Sequence, residues 1–311
     1  MNYSFATLST EEGPQPVVKL ADQYYPLDRL VSGLVIDRER GLLDLFRDWE
    51  RNDRAVSEAL TAKRHETLNP LSDVSETNFD APLKFPSKVI CTGVNYYDHL
   101  RDDMKVRDFD KSKHDILYFL KHSQAVVGAA SGVRFPSQSR ELDWEVELVV
   151  VFGKRARRVS VERAMSCVAG YSIGLDLSAR DWQMNPRHFK QFDLMAGKSF
   201  DDSSPLGPFI VPARFVDPSN IPLRLWVNQE LKQNSSTREM IWSIPEQIAQ
   251  LSQHMTIEPG DVLYTGSPAG IGWIKRTFLK EGDRVSAEIG GLGRLSVKIM
   301  PDPDKSSAVL L

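Results

Sequence analysis

Cysteine is nearly absent from this chain. Only Cys91 and Cys167 occur in 311 residues, too few for a disulfide framework and too far apart for a ligand motif. That scarcity points to a reducing compartment. An excess of one charge is missing as well: 39 Lys and Arg stand against 42 Asp and Glu, a formal net charge of -3. With no extended basic stretch, neither nucleic acid nor an anionic membrane is expected as a partner. No apolar run approaches the roughly 18 residues of a membrane span. The opening Met1-Asn2-Tyr3-Ser4-Phe5 shows no basic stretch followed by an apolar one, so the expected location is the cytoplasm. What remains is the composition of a globular enzyme, 41% hydrophobic and 26% charged, long enough for one large or two modest domains.

Residues 1–70 read as a small α+β leading domain. It has strand-like pieces around Val17-Val18-Lys19-Leu20 and a helix expected from Gly41 to Glu50, where leucines and aromatics recur at helical spacing. Residues 71–87, rich in proline, form the expected linker. From 88 to 300 the pattern turns strand-dominated, with a helix expected over 160–169 and another opened by Ser243-Ile244-Pro245-Glu246, the form of a capping box. Gly260-Asp261 and Gly282-Asp283 are turns feeding strands. The dense charge of 98–113 suits a surface turn or short helix, and the polar tail 301–311 is expected to fray.

The most informative stretch is Trp144-Glu145-Val146-Glu147-Leu148-Val149-Val150-Val151-Phe152, two glutamates at the head of a run apolar enough for a buried strand. On a strand they share one face, about 7 Å apart, which costs roughly 2 to 3 kcal/mol at an effective dielectric near 20. A divalent cation reverses that sign; an edge strand with solvated glutamates is the alternative. Asp176, in the apolar setting Gly174-Leu175-Asp176-Leu177, offers a third hard oxygen ligand, suiting Mg²⁺, Mn²⁺ or Ca²⁺ over Zn²⁺. Other motifs fail. Gly170-Tyr171-Ser172-Ile173-Gly174 has the letters of a nucleophile elbow, but a helix is expected before it and a strand after it, the reverse of what an elbow needs. Gly197-Lys198-Ser199 resembles the end of a phosphate loop, yet Phe192 stands where its first glycine belongs.

Five pieces occur in one order: Gly93-Val94-Asn95-Tyr96-Tyr97-Asp98-His99, Asp143-Trp144-Glu145-Val146-Glu147-Leu148, Asp176-Leu177-Ser178-Ala179-Arg180-Asp181-Trp182-Gln183, Gly197-Lys198-Ser199-Phe200-Asp201 and Pro259-Gly260-Asp261-Val262-Leu263-Tyr264-Thr265-Gly266-Ser267-Pro268. Together they resemble the fumarylacetoacetate hydrolase family, in the subgroup that carries a short extra N-terminal domain. The resemblance implies a mainly β fold with some α, a mixed β-roll catalytic domain behind the small α+β domain. It implies Glu145, Glu147 and Asp176 as metal ligands, usually for Mg²⁺ with Mn²⁺ or Ca²⁺ possible. Lys198 would face substrate oxygens, Arg180 and Gln183 would line the pocket, and Thr265 and Gly266 would contact substrate. His99 would be the catalytic base, partnered in relatives by a glutamate three residues on. Here that position holds Asp102, with Asp103 beside it, and either aspartate can orient the imidazole. The implied reaction is hydrolysis of the C–C bond of an acylpyruvate or related 2,4-dioxo acid through a metal-held enolate. Tautomerisation, decarboxylation or isomerisation of a 2-oxo diacid such as oxaloacetate is the alternative. A homodimer is expected from the resemblance alone.

Overall fold

The computed structural model describes residues 2–303 and folds them around two main sheets. In chain order the principal strands are β1 (Ser4–Thr10), β2 (Gly13–Leu20), β3 (Gln23–Pro26), β4 (Val89–Gly93), β5 (Leu117–Lys121), β6 (Val146–Phe152), β7 (Val168–Leu175), β8 (Ser204–Pro212), β9 (Pro222–Val227), β10 (Glu230–Ser236), β11 (Val262–Tyr264), β12 (Arg284–Ile289) and β13 (Gly293–Met300). The helices that matter below are α1 (Trp49–Thr61), α2 (Arg180–Gln183), α3 (Leu194–Lys198) and α4 (Ile244–His254). The larger sheet runs β3-β2-β1-β8-β7-β6-β11-β4-β5, antiparallel along this path except where β11 lies parallel to β4. The smaller runs β10-β9-β12-β13 and ends on the two-residue strand Val133–Arg134, parallel to β13. This is the mainly β, mixed-sheet architecture expected from the sequence.

The glutamate-bearing run becomes β6, and it is no edge strand. β7 pairs on one side, β11 on the other, and every residue of β6 is buried. Its unbroken Val and Leu run is what a strand covered on both faces requires. Leu148 and Val150 join the core under the smaller sheet with Leu225, Val285 and Val297, whereas Val149 and Val151 pack with Phe5, Trp49 and Tyr264.

The leading strands join the larger sheet. β1 pairs with β8 at Phe5 and Ile210, so the leading strands extend the larger sheet. Trp49 of α1 shares a core with Val151, and Asp53 is clamped by Tyr3 and Arg214. The reason is size: a three-stranded meander and one long helix bury too little apolar surface alone and borrow the face of a larger sheet.

Two helices differ from expectation. The one expected over 41–50 is broken at Asp48, whose φ -136 and ψ 62 are not helical, into Leu43–Arg47 and α1. Of 160–169 only Val161–Ala164 is α-helical before a 3₁₀ turn leads into β7. The capping box forms as expected, with the Ser243 N–H and hydroxyl both donating to the Glu246 carboxylate at 2.8 Å. Residues 304–311, most of the tail expected to fray, lie outside the described residues.

Candidate active site

Register brings the carboxylates together. On β7, Leu175 pairs with Val146 and Gly174 with Glu147. One step further the Asp176 N–H donates to the Glu145 carbonyl at 2.9 Å, so these two residues stand opposite each other at the strand ends. Along β11, Tyr264 pairs with Val149, the Thr265 N–H reaches the Leu148 carbonyl at 3.1 Å, and the Gly266 N–H donates to Glu147 Oε2 at 2.7 Å. Two glycines are required here. A Cβ at Gly174 would lie 2.3 Å from Tyr264 Cε1, and Gly266 has φ +100 with its would-be Cβ 2.6 Å from Asn95 Cβ.

Oxygens of Glu145, Glu147 and Asp176 lie within 4.8 Å of one another, and all three residues are buried. Lys198, closing α3, is buried among them, its Nζ donating to Asp176 Oδ2 at 2.6 Å and Glu145 Oε2 at 3.0 Å. Gly197 makes this approach possible, since a Cβ there would lie 2.3 Å from Gln183 Cβ. A second buried ammonium, Lys121 at the end of β5, donates to Asp176 Oδ1 and the Ser203 carbonyl, both at 2.6 Å. Arg180 donates to Glu145 as well, not to the Asp176 or Asp181 carboxylates that its sequence position offers.

This charge pattern splits the carboxyl groups. Burial opposes ionisation of Glu145, but Lys198 and Arg180 overcome it and lower its pKa to about 2. Glu147 goes the other way: burial, then the neighbouring Asp176 and Glu145 charges, push it well above the ordinary range. Burial also works against a charged Lys198, yet Asp176 and Glu145 raise its pKa. The site therefore holds a carboxylate short of positive charge beside an ammonium that bridges the other two. A hard divalent cation such as Mg²⁺, Mn²⁺ or Ca²⁺ fits that donor set.

His99 faces the same space from a five-residue π-helix, His99–Asp103. Its Nδ1 lies 2.8 Å from Asp103 Oδ2, which also accepts the Gly270 N–H at 3.1 Å. Asp102, the aspartate expected at the partner position, is bonded elsewhere. It points outward, bonded to Arg101 through both carboxylate oxygens, with 54% of its side chain exposed. The wider π turn, closed by Met104 N–H to the His99 carbonyl at 3.1 Å, aligns the fourth residue along the chain and swings the third away. With Nδ1 engaged by the Asp103 carboxylate, Nε2 is the ring nitrogen left for another partner.

A cavity of about 190 Å³ joins these groups, lined by His99, Glu145, Asp176, Arg180, Gln183 and Lys198 on its polar side, with Val94, Leu117, Phe119, Phe192, Leu194 and Ile271 on the apolar side. Ser267 lines it too, whereas Thr265 and Gly266 do not. The Thr265 hydroxyl donates to the Leu148 carbonyl at 2.8 Å and thus ties the turn to β6. The serine of the elbow-like motif lies inside β7, its hydroxyl donating to the Phe209 carbonyl. Sequence reasoning assigned no role to Lys121 or Asp143. A lone lysine ending the apolar run Tyr118-Phe119-Leu120 was the signal for the first.

This geometry accords with what is known of other chains. The model of the fumarylacetoacetate (FAA) hydrolase C-terminal family matches residues 88–300. The chain belongs to the fumarylacetoacetate hydrolase family. A mitochondrial protein of Bos taurus named oxaloacetate tautomerase FAHD2B is 42% identical over 237 residues, 75% of this chain and 73% of its own. The fumarylacetoacetate hydrolase of Exiguobacterium antarcticum superposes with a TM-score of 0.79 at 28% identity, covering 96% of this chain and 100% of that one. The fumarylpyruvate hydrolase of Pseudomonas aeruginosa, solved with Mn²⁺ and pyruvate, gives 0.61 at 35% identity over 69% of this chain and 90% of that one. Members of this family, hydrolases and tautomerases alike, are enzymes. Among the described residues no helix is long and apolar enough to cross a membrane.

Proposed function

We propose that this chain catalyses enolate chemistry on a small 2-oxo acid with the help of a divalent cation, and that keto–enol tautomerisation of oxaloacetate is its leading reaction. The observation that carries this reading is the His99–Asp103 pair opening onto the same cavity as Glu145, Asp176 and Lys198. A cation held by Glu145, Glu147 and Asp176 supplies, when bound, positive charge that stabilises an enolate. His99 Nε2 accepts the proton of the enol hydroxyl and returns it to the carbon between the two carbonyls, so the step balances with no co-reactant. Asp103 holds the ring and stabilises its charged form. Lys198 adds positive charge where the substrate oxygen becomes anionic. Gln183 and Arg180 border the carboxylate end, and the apolar wall excludes bulk water.

Tautomerisation moves ahead of hydrolysis, the reverse of the order expected from the sequence, because it needs one proton shuttle and no aligned water, and because the 42% identical bovine relative is named for it. Hydrolysis of an acylpyruvate is the second reading, favoured by the pyruvate-bound fumarylpyruvate hydrolase. Three finer points complete the proposal. Mg²⁺ as the resident ion rests on the hard donor set, and a homodimer rests on the family resemblance. A cytoplasmic location rests on two buried free cysteines, against relatives whose names carry the word mitochondrial. The test is a kinetic panel with Mg²⁺, Mn²⁺ and EDTA. Faster enol decay of oxaloacetate, lost in EDTA, is expected; acid release from acylpyruvates without it would promote the second reading, and full activity in metal-free protein would overturn both.

A further inference from the structure

Asp143 takes no part in the chemistry above, yet it is the most heavily bonded carboxylate near the site. It lies in the short strand Leu142–Asp143, paired with Ser178–Ala179 immediately before α2. It is wholly buried. Its Oδ1 accepts the N–H groups of Gly272 at 2.7 Å and Trp144 at 2.8 Å, and its Oδ2 accepts Trp273 N–H at 3.0 Å and Arg180 Nε at 2.9 Å. The Arg180 Nη2 lies 2.8 Å from the same oxygen. A Cβ at Gly272 would sit 2.7 Å from Oδ1, so glycine there lets the backbone reach the carboxylate.

Arg180 distributes its nitrogens from this anchor. Nε and Nη2 face Asp143, Nη2 also donates to Glu145 Oε1, and Nη1 donates to Gln183 Oε1 at 3.1 Å. A guanidinium has no acceptor, so the Gln183 atom it meets must be the carbonyl oxygen. That forces the amide nitrogen, a donor, to be the free end of a side chain lining the cavity. We propose that Asp143 is a positioning residue of the active site: it anchors Arg180 so that Gln183 presents its N–H₂ to the substrate's acceptor oxygens and so that only part of the guanidinium's charge falls on Glu145. Arg180, which lines the cavity, thereby also acts through its neighbours.

The proposal rests on the metal and 2-oxo acid reading above, and its test uses binding as well as turnover. Mn²⁺ affinity is measured by titration calorimetry, and pyruvate, a 2-oxo acid with a single carboxylate, probes the loaded protein. In Asp143→Asn the unbalanced guanidinium falls on Glu145 and the amide loses its orientation, so both dissociation constants rise by about tenfold or more, the scale of outer-partner losses. KM rises more than kcat falls. Adding Arg180→Gln removes the freed charge and restores Mn²⁺ affinity toward wild type, which a purely structural defect would not do. Asp143→Asn combined with Gln183→Ala binds pyruvate no more weakly than Gln183→Ala alone, because both act on one contact. If Asp143→Asn does not fold, Arg180→Lys, which keeps the charge without the fork, reads the same non-additivity with Gln183→Ala. Unchanged affinities in the single variant, a double variant with multiplied losses, or no rescue by Arg180→Gln overturns this proposal while leaving the functional reading intact. A wild-type protein that binds neither Mn²⁺ nor pyruvate overturns both.

Discussion

Glu147 sits in a strand paired on both sides and buried along its whole length, whereas His99 sits on a five-residue π-helix at the cavity's rim, fastened by side-chain bonds to a neighbouring turn. The first wall is held by backbone register, so each carboxylate's place follows from which residue pairs with which. The second is held by individual contacts: Asp103 to Gly270 N–H, and Asp98 to Ala269 N–H and the Ser235 hydroxyl. The difference teaches where each kind of chemistry is placed. Charges that must gather around a cation need a rigid frame that prevents their relaxing apart, and a base that must move a proton can sit on a lighter element.

The contrast can be broken or sharpened by mutation, beginning with the frame. Glu147→Gln keeps an acceptor for Gly266 N–H but removes the charge, and Mn²⁺ affinity should fall about a thousandfold, beyond the roughly 10- to 100-fold of outer partners, with turnover lost. Calorimetry showing wild-type Mn²⁺ affinity would mean the frame is not the metal site. At the rim, His99→Gln should lower kcat by about 10²–10⁴ while Mn²⁺ affinity holds, since only proton transfer is lost. A parallel loss of metal would show that the two walls are not separable.

Lys198→Met leaves the Glu145 and Asp176 carboxylates without their shared ammonium, and breaking such a buried pair costs about 3–5 kcal/mol. Urea unfolding of the metal-free variant should show that loss, and saturating Mn²⁺ should recover part of it; a fully stable metal-free variant would contradict the reading of Lys198 as the charge that holds the frame together.

The pH dependence follows from the two glutamates' opposite shifts. Glu145, with its pKa lowered to about 2, stabilises the fold above the ordinary value of 4.5, and this is lost only as the pH falls toward 2. Glu147, raised, holds a proton in the folded metal-free protein, so stability falls as the pH rises from 4.5 through its raised value. Binding a cation ionises it, and Mn²⁺ affinity should rise about tenfold per pH unit in that window with one proton released. Calorimetry in two buffers of different ionisation enthalpy counts that proton, and a count of zero would refute the assignment. The smallest effects separate neighbours on the π-helix: Asp103→Asn should lower kcat about tenfold or more, whereas Asp102→Asn, at an exposed position, should change stability by less than about 0.5 kcal/mol and leave kcat alone. The reverse ranking would restore the glutamate-like partner at Asp102.

Much of the frame was legible in the residues. The period of two in Glu145-Val146-Glu147 put both glutamates on one face, the apolar run after them marked a buried strand, and Ser243-Ile244-Pro245-Glu246 marked a helix start that formed. Lys121 escaped because the contact to Asp176 spans 55 positions of sequence, and no local pattern carries it. The choice between Asp102 and Asp103 stayed open because spacing three and spacing four are both on one face of an ordinary helix, and only the turn's actual width decides between them. The pairing of β1 with β8 escaped for a related reason, since an amphipathic strand states that it needs a covering surface but not whose.

By itself, then, the sequence determined the mainly β class, the pair of glutamates on one strand face and the order of the family's motifs, because strand periodicity and turn chemistry act over a few neighbouring residues. Only the tertiary structure decided that β6 is central, that Asp103 holds His99 and that Lys121 and Asp143 stand behind the reacting groups. Those outcomes depend on which distant segments share a buried space, where an unpaired charge costs several kcal/mol and every partner must be found across the fold.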